Sequence, residues 1–400
     1  MRRILCASLL VLTSGMAVGQ DSGWTSFRNG GQSHAAAEAL PLTWSSESLA
    51  WRVTVPGQGQ SSPVIHGDRV FVTSTSGPQK ETLFVSCLEL SSGQVLWRRE
   101  LSSSHPEELT DMRSKSAPTP LVDGERVYAF FESGDLFAFD HRGETQWHRD
   151  LAKDLDAFQG NHGLGTSPAW SEAGVLICLD HEGPSLLMCL DHETGDTLWK
   201  TTRKSRSSWT SPIVTGDQVV VSSNGSVDAY AVASGERLWS LGEIEGNTVA
   251  SATPVGEGFL IASSAKAFNL FLSIGAEGGP TVRWRAEEVG ASGFASPVAN
   301  KERAFWVAKS GVLYCIDLKS GESIWRHRLP DSAWATPILG AGRLYIFCVD
   351  GTTIVLDPTA DEPRVLATNA VPTETRIYGV AATEGTLILR TETELVAVRQ

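Results

Sequence analysis

Three aromatic residues, Trp209, Phe294 and Trp334, each stand three positions before a proline that opens a strand-like segment: Pro212, Pro297 and Pro337. A shared offset from a shared landmark puts them at matching points of a repeated unit. Arg113, His162, Arg376 and Tyr378 fall in segments of the same kind. Together these seven residues could line a cup for an anionic or aromatic group, because a guanidinium matches a carboxylate and the rings offer flat apolar faces. The competing reading is that the rings pack the loop bases and the charges are solvated.

Other residue types with chemical potential read as structure. Asp180-His181-Glu182 and Asp191-His192-Glu193 contain metal-ligand types. Both fall at turns, and the expectation is that they are solvated turn residues. No G-x-S-x-G, H-E-x-x-H, G-x-x-x-x-G-K-[ST] or G-x-G-x-x-G stands in the chain. Gly160-Asn161-His162-Gly163-Leu164-Gly165 opens no helix, so it reads as a loop rather than a phosphate cradle. No catalytic residue and no metal site are therefore expected.

The elements that position the seven residues are unusually legible. Gly, any three residues, then Trp occurs at Gly93/Trp97, Gly143/Trp147, Gly195/Trp199, Gly235/Trp239 and Gly321/Trp325, and Trp51 and Trp284 keep the beat without the glycine. A period of about forty to fifty residues marks a repeat architecture. Each unit divides into four short strands. The first opens at a Ser/Thr-Pro step, such as Ser62-Pro63, Thr119-Pro120, Ser211-Pro212, Thr253-Pro254 or Thr336-Pro337, where proline is tolerated. Second strands are β-branched and aromatic, as in Val219-Val220-Val221, and third strands include Leu313-Tyr314-Cys315-Ile316-Asp317.

Four-stranded antiparallel sheets repeated radially make an all-β fold, the β-propeller. The C-terminus supplies three strands and stops, whereas Leu49-Ala50-Trp51-Arg52-Val53 reads as an orphan fourth strand. Joining them closes a ring of eight blades, with seven as the alternative. The tryptophans Trp51, Trp97, Trp147, Trp199, Trp239, Trp284 and Trp325 are assigned to blade-to-blade packing rather than to a ligand. The glycine four residues before each is expected to supply a turn with positive φ.

Loops that join one blade to the next should gather on one face around the axis. Three are long, at residues 101–117, 150–165 and 201–210. Besides the residues above they contain His105, Asp111, Lys115, Asn161, Arg203, Lys204 and Arg206.

Residues 1–20 have the form of a signal peptide, with Arg2 and Arg3, an apolar stretch, and small residues at Ala17-Val18-Gly19. The reading divides the chain into this signal peptide, an N-terminal extension over 21–45 and one propeller domain over 46–400. It implies an exported, periplasmic or secreted protein without a transmembrane segment, and a monomer. Removing the leader takes two arginines and no acids, moving the formal charge from −13 to −15. Such acidity argues against nucleic acid as a partner. Five cysteines remain, all in apolar strand-like runs, and read as buried small hydrophobes; a Cys178–Cys189 link across a hairpin is the alternative.

The segment Asp191-His192-Glu193-Thr194-Gly195-Asp196-Thr197-Leu198-Trp199 resembles the Asp-x-x-Thr-Gly-x-x-x-Trp repeat of the pyrroloquinoline-quinone (PQQ)-like propeller family, and Asp317 to Trp325 matches it with Ser for Thr. The resemblance covers roughly residues 45–400. Trp24-Thr25-Ser26-Phe27-Arg28-Asn29 is similar to the Trp-Pro-x-Phe-Arg-Gly opening of exported members. The resemblance implies one of two functions. Quinoprotein dehydrogenases of the family hold the quinone on the propeller axis with calcium and oxidise alcohols or sugars. BamB-like members bind envelope proteins through their loops and are not enzymes. This chain has no adjacent cysteine pair and no haem motif. The expectation is therefore a BamB-like, non-catalytic scaffold for a protein or other macromolecule, without cofactor. PQQ and calcium belong to the dehydrogenase alternative. A polysaccharide-binding propeller, resting on the aromatic residues near the axis, is a second alternative.

Overall fold

The computed structural model describes residues 23–400 except 111, 112, 156, 157, 161, 205, 247, 266, 267 and 276–278. Asp111, Asn161 and the leader therefore lie outside the described residues. The rest forms an eight-bladed β-propeller: seven sheets have four strands, and one gains a fifth. Blade one begins at Val64 and blade seven at Ile338. Blade eight combines Gly379–Thr383, Thr386–Arg390 and Glu394–Arg399 with Leu49–Thr54 from the opposite end of the chain, pairing Trp51 with Ala397 and Val53 with Leu395. The ring thus closes without a free seam.

The tryptophan beat has a specific physical basis. In each blade the pairing of third and fourth strands slips by one residue at the tryptophan position, for example between Cys87↔Trp97 and Leu88↔Val95. The residue at that bulge is turned outward, which leaves Leu96, Leu198 and Leu238 exposed. The tryptophan is turned inward against the neighbouring blade. There its indole N–H donates to a carbonyl of the next turn: Trp51 to Leu90, Trp97 to His141, Trp147 to His192, Trp199 to Val232, Trp284 to Leu318 and Trp325 to Ala360, all at 2.8–3.0 Å. Trp239 instead donates to Gln218 Oε1 at 3.1 Å. Blade seven carries Ala367 at this position.

The repeat glycines do two things at once. Gly195 has φ +74°, and a Cβ there would lie 2.7 Å from the Trp147 ring. Positive φ was expected; the close approach of the preceding blade's indole was not. Where an aspartate opens such a turn, as at Asp140, Asp191 and Asp317, it accepts backbone N–H groups; Asp191 accepts from Glu193 (2.8 Å) and Thr194 (2.9 Å). The bonds from the Thr194 and Glu193 N–H groups hold its carboxyl below the ordinary value.

The Ser/Thr of the Ser/Thr-Pro steps, blade five excepted, binds neighbouring blades into a belt. Ser62 N–H donates to Thr119 Oγ1, Thr119 N–H to Ser167 Oγ, Ser167 N–H to Ser211 Oγ and Ser211 N–H to Ser251 Oγ, at 2.9–3.0 Å. Ser251 and Ser296 continue it to Thr336. This corrects the reading of blade five, which does not open at Thr253-Pro254. Ser251 takes the belt position, and Thr253↔Leu260 stands where blade four has Ile213↔Val220. Pro254 lies inside the innermost strand, whose free edge faces the axis, so its missing donor is harmless.

All five described cysteines are free and buried. Cys178 pairs with Leu187 and Cys189 with Leu176, so the two are not opposite one another on the hairpin. Burial pushes the Cys87, Cys315 and Cys348 thiols up to about 12, which makes them inert packing groups. Among the described residues no helix is long and apolar enough to cross a membrane.

Candidate functional site

The N-terminal extension builds the floor of the site. Trp24 bridges to Ile65 of blade one, and Thr25 O accepts Val122 N–H of blade two. The chain then turns through Arg28–Gly31, with positive φ at all four residues, and Gly31 lies so close to Ile213 of blade four that a Cβ would meet it at 2.6 Å. His34 Nε2 lies 2.7 Å from Ala299 O of blade six. His34–Ala35 then adds a parallel fifth strand to Ile338–Gly340 of blade seven. A segment of a dozen residues thereby touches five inner strands, and a sixth, Thr253–Val255 of blade five, through the Arg28 side chain, and plugs the central channel.

Arg28 fixes this plug. It is 3% exposed, and its guanidinium donates to Ala252 O (3.0 Å), Pro297 O (3.2 Å), Ser251 O (3.4 Å) and Thr253 Oγ1. Its Nε has no partner, and no carboxylate lies within ion-pair distance among the described residues. Desolvation lowers its pKa to about 9.

Above the plug lies an open cavity of about 500 Å³ on the axis. All seven residues singled out from the sequence line it: Arg113, His162, Trp209, Phe294, Trp334, Arg376 and Tyr378. They come from the segments that lead into blades two, three, four, six, seven and eight. Phe294 and Trp334 stack at 3.6 Å with an interplanar angle of 8°, and Tyr378 meets Trp334 edge-on at 5.3 Å. The Arg376 guanidinium lies 5.2 Å from the centre of the Trp334 ring. Across the axis His162 meets Trp209 edge-on at 5.4 Å, and the Trp209 indole N–H donates to Gly163 O at 2.6 Å. Arg113 is paired with Glu107 at 3.0 Å. The rings therefore pack one another and still present surface to the cavity, so the two competing readings of them both hold in part. Trp24, Phe27, Arg28 and Ser33 complete the floor; nothing in their sequence marked them for the axis.

The remaining charged loop residues lie elsewhere. His105 pairs with Asp150 at 2.9 Å and Lys115 with Glu392 at 2.9 Å. Arg203 is buried, donating to Asp180 at 2.8 and 3.1 Å and to the Tyr230 hydroxyl at 2.6 Å. The first Asp-His-Glu triplet therefore departs from expectation, since Asp180 and His181 are 4% and 7% exposed. Asp180 is buried because it neutralises Arg203, a partner too far along the chain for turn chemistry to reveal. Among the described residues no cluster of His, Cys, Asp or Glu is arranged to hold a metal.

A family model described as outer membrane protein assembly factor BamB matches residues 12–162, 139–278 and 273–398. The chain belongs to that family. A relative of the same description from Alkalilimnicola ehrlichii is 27% identical over 41% of this chain and 38% of its own length. The chain spans about two fifths of the curated relatives it matches. Among solved structures, BamB from Moraxella catarrhalis superposes with TM-score 0.65 at 14% identity, covering 88% of this chain and 99% of that one. A europium-containing methanol dehydrogenase superposes with TM-score 0.67 at 10% identity, covering 94% and 91%. At these identities the two structures establish the fold alone.

The axial position of the cavity makes a calcium-held quinone the group to test. Calcium takes six to eight oxygens, with carboxylates supplying its charge. Among the described residues no Asp or Glu lines this cavity, and the charged side chains that do are arginines. The donor set does not fit that cation.

Proposed function

We propose that this BamB-family propeller is an exported, non-catalytic scaffold in the cell envelope that binds a protein partner through its loop face. The observation that carries the reading is the convergence of seven loop residues, from segments leading into six blades, on one open cup that among the described residues has arginines and no carboxylate. Concave, partly apolar sites with a few placed polar groups are where ligands and partners bind. The names of the relatives, outer membrane protein assembly factors, support a partner within that machinery. Dehydrogenase chemistry would require the cation that the lining does not suit.

Capture from envelope extract tests the reading. The intact protein is expected to retain a discrete partner, and the double variant Arg113→Gln, His162→Ala, which sets no new carboxylate against Glu107, to retain at least tenfold less while keeping a cooperative melting transition. Equal retention by both proteins would remove the cup face from the account.

A further inference from the structure

We infer that the axial cup takes an acidic saccharide, a uronate-bearing chain end whose carboxylate pairs with Arg376 and is drawn towards Arg28. This goes beyond the scaffold reading and does not rest on it.

Charge comes first. The chain is strongly acidic, at −13, yet among the described residues the cavity lining holds three arginines and no carboxylate. Arg113 is neutralised by Glu107. Arg376 and Arg28 have no carboxylate within ion-pair distance among the described residues; the first is exposed, the second buried in the floor with its Nε unpartnered. A buried cation held only by neutral carbonyls and a hydroxyl attracts an anion strongly, because the surrounding dielectric is low. The cup is thus a local positive site on a molecule of net negative charge.

Shape and polarity narrow the anion. Phe294 has one face against Trp334 and remains 41% exposed, so its other face is an open platform. The contacts His162–Trp209 and Tyr378–Trp334 are edge-on, so the walls offer no parallel slot of two ring faces into which a flat aromatic acid would slide. Between the rings stand hydroxyl and amide groups: Gln60, Ser62, Ser114, Thr336 and the Tyr378 phenol. A pyranose ring uses all of these features. Its C–H face packs on one open aromatic face, its hydroxyls meet side chains that both donate and accept, and its carboxylate meets a guanidinium.

Titration of the purified full chain with oligogalacturonate, the neutral glucan maltohexaose and naphthalenedicarboxylate tests this, read by calorimetry. Oligogalacturonate is expected to bind, at least tenfold more tightly than maltohexaose and than naphthalenedicarboxylate, and more weakly as salt rises. Arg376→Gln and Phe294→Ala should each lower its affinity tenfold or more; both residues are exposed, so melting temperatures should hold. Failure of oligogalacturonate to bind overturns the inference, as does affinity untouched by both variants. Equal binding of maltohexaose would remove the role of charge, and tighter binding of naphthalenedicarboxylate would reassign the cup to flat acids. Partner capture by the same two variants is scored separately, so loss of saccharide binding and loss of the scaffold role are distinguishable.

Discussion

Gly195→Ala is expected to destabilise the ring by about 2–5 kcal/mol, far more than alanine costs at another left-handed glycine. Two effects combine. At φ +74° any L-residue meets a strain of about 1–2 kcal/mol. The new Cβ would also lie 2.7 and 2.8 Å from Trp147 ring atoms, and relieving such overpacking costs about 1–3 kcal/mol. Trp147 cannot retreat freely, because it is buried and its indole N–H is tied to His192 O at 3.0 Å. Gly216 separates the effects: its φ is +59° and a Cβ there would meet nothing within 4 Å. Gly216→Ala should therefore show the strain alone. Denaturant midpoints at constant slope give the comparison. Equal losses at the two positions would mean that the glycine serves the turn and not the blade interface.

Asp180→Ala should cost about 3–5 kcal/mol, the usual cost of leaving a buried charge without its partner. The Arg203 side chain has no exposed surface, and Asp180 accepts two of its N–H groups and the Ser223 hydroxyl. Asp228 Oδ2, at 3.4 Å from Arg203, compensates only in part. Asp191→Ala removes an aspartate of the same residue triplet from an exposed turn and should cost only about 1 kcal/mol. Replacing both members of the buried pair, Asp180→Leu with Arg203→Met, should recover much of the loss, since an apolar pair of similar volume carries no desolvation penalty. Melting and denaturant curves of the three variants decide it; a small effect of Asp180→Ala would show that Asp228 alone satisfies Arg203.

The contrast between these positions marks how much of the molecule could be read from its residues. The tryptophan beat and the aromatic residues Trp209, Phe294 and Trp334 were legible because each recurs at a fixed offset within a repeat, and a repeat turns sequence position into place on a ring; Arg113, His162, Arg376 and Tyr378 were legible only as members of the equivalent loops. Blade closure by Leu49–Thr54 was legible for the same reason, as a strand missing from one end and surplus at the other. What resisted reading is whatever breaks the period. Arg28 meets Ser251 and Ala252 more than two hundred residues away, and Asp180 meets Arg203 across a blade. Blade five hides its belt serine, Ser251, behind a misleading Thr253-Pro254. The belt itself carried a visible signal, a Ser or Thr at nearly every strand opening. Its meaning needed the neighbouring blade's N–H in view.

In a scaffold of this kind the cup is the face that meets a partner. The most direct measurement places a photo-crosslinking residue at Phe294 in the cup or at Leu198 on the outer edge, two positions that are 41% and 49% exposed. Irradiation in envelope extract is expected to give a discrete adduct from position 294 and none from 198. An adduct from 198 with none from 294 would contradict the account and move the partner to the rim of the blades.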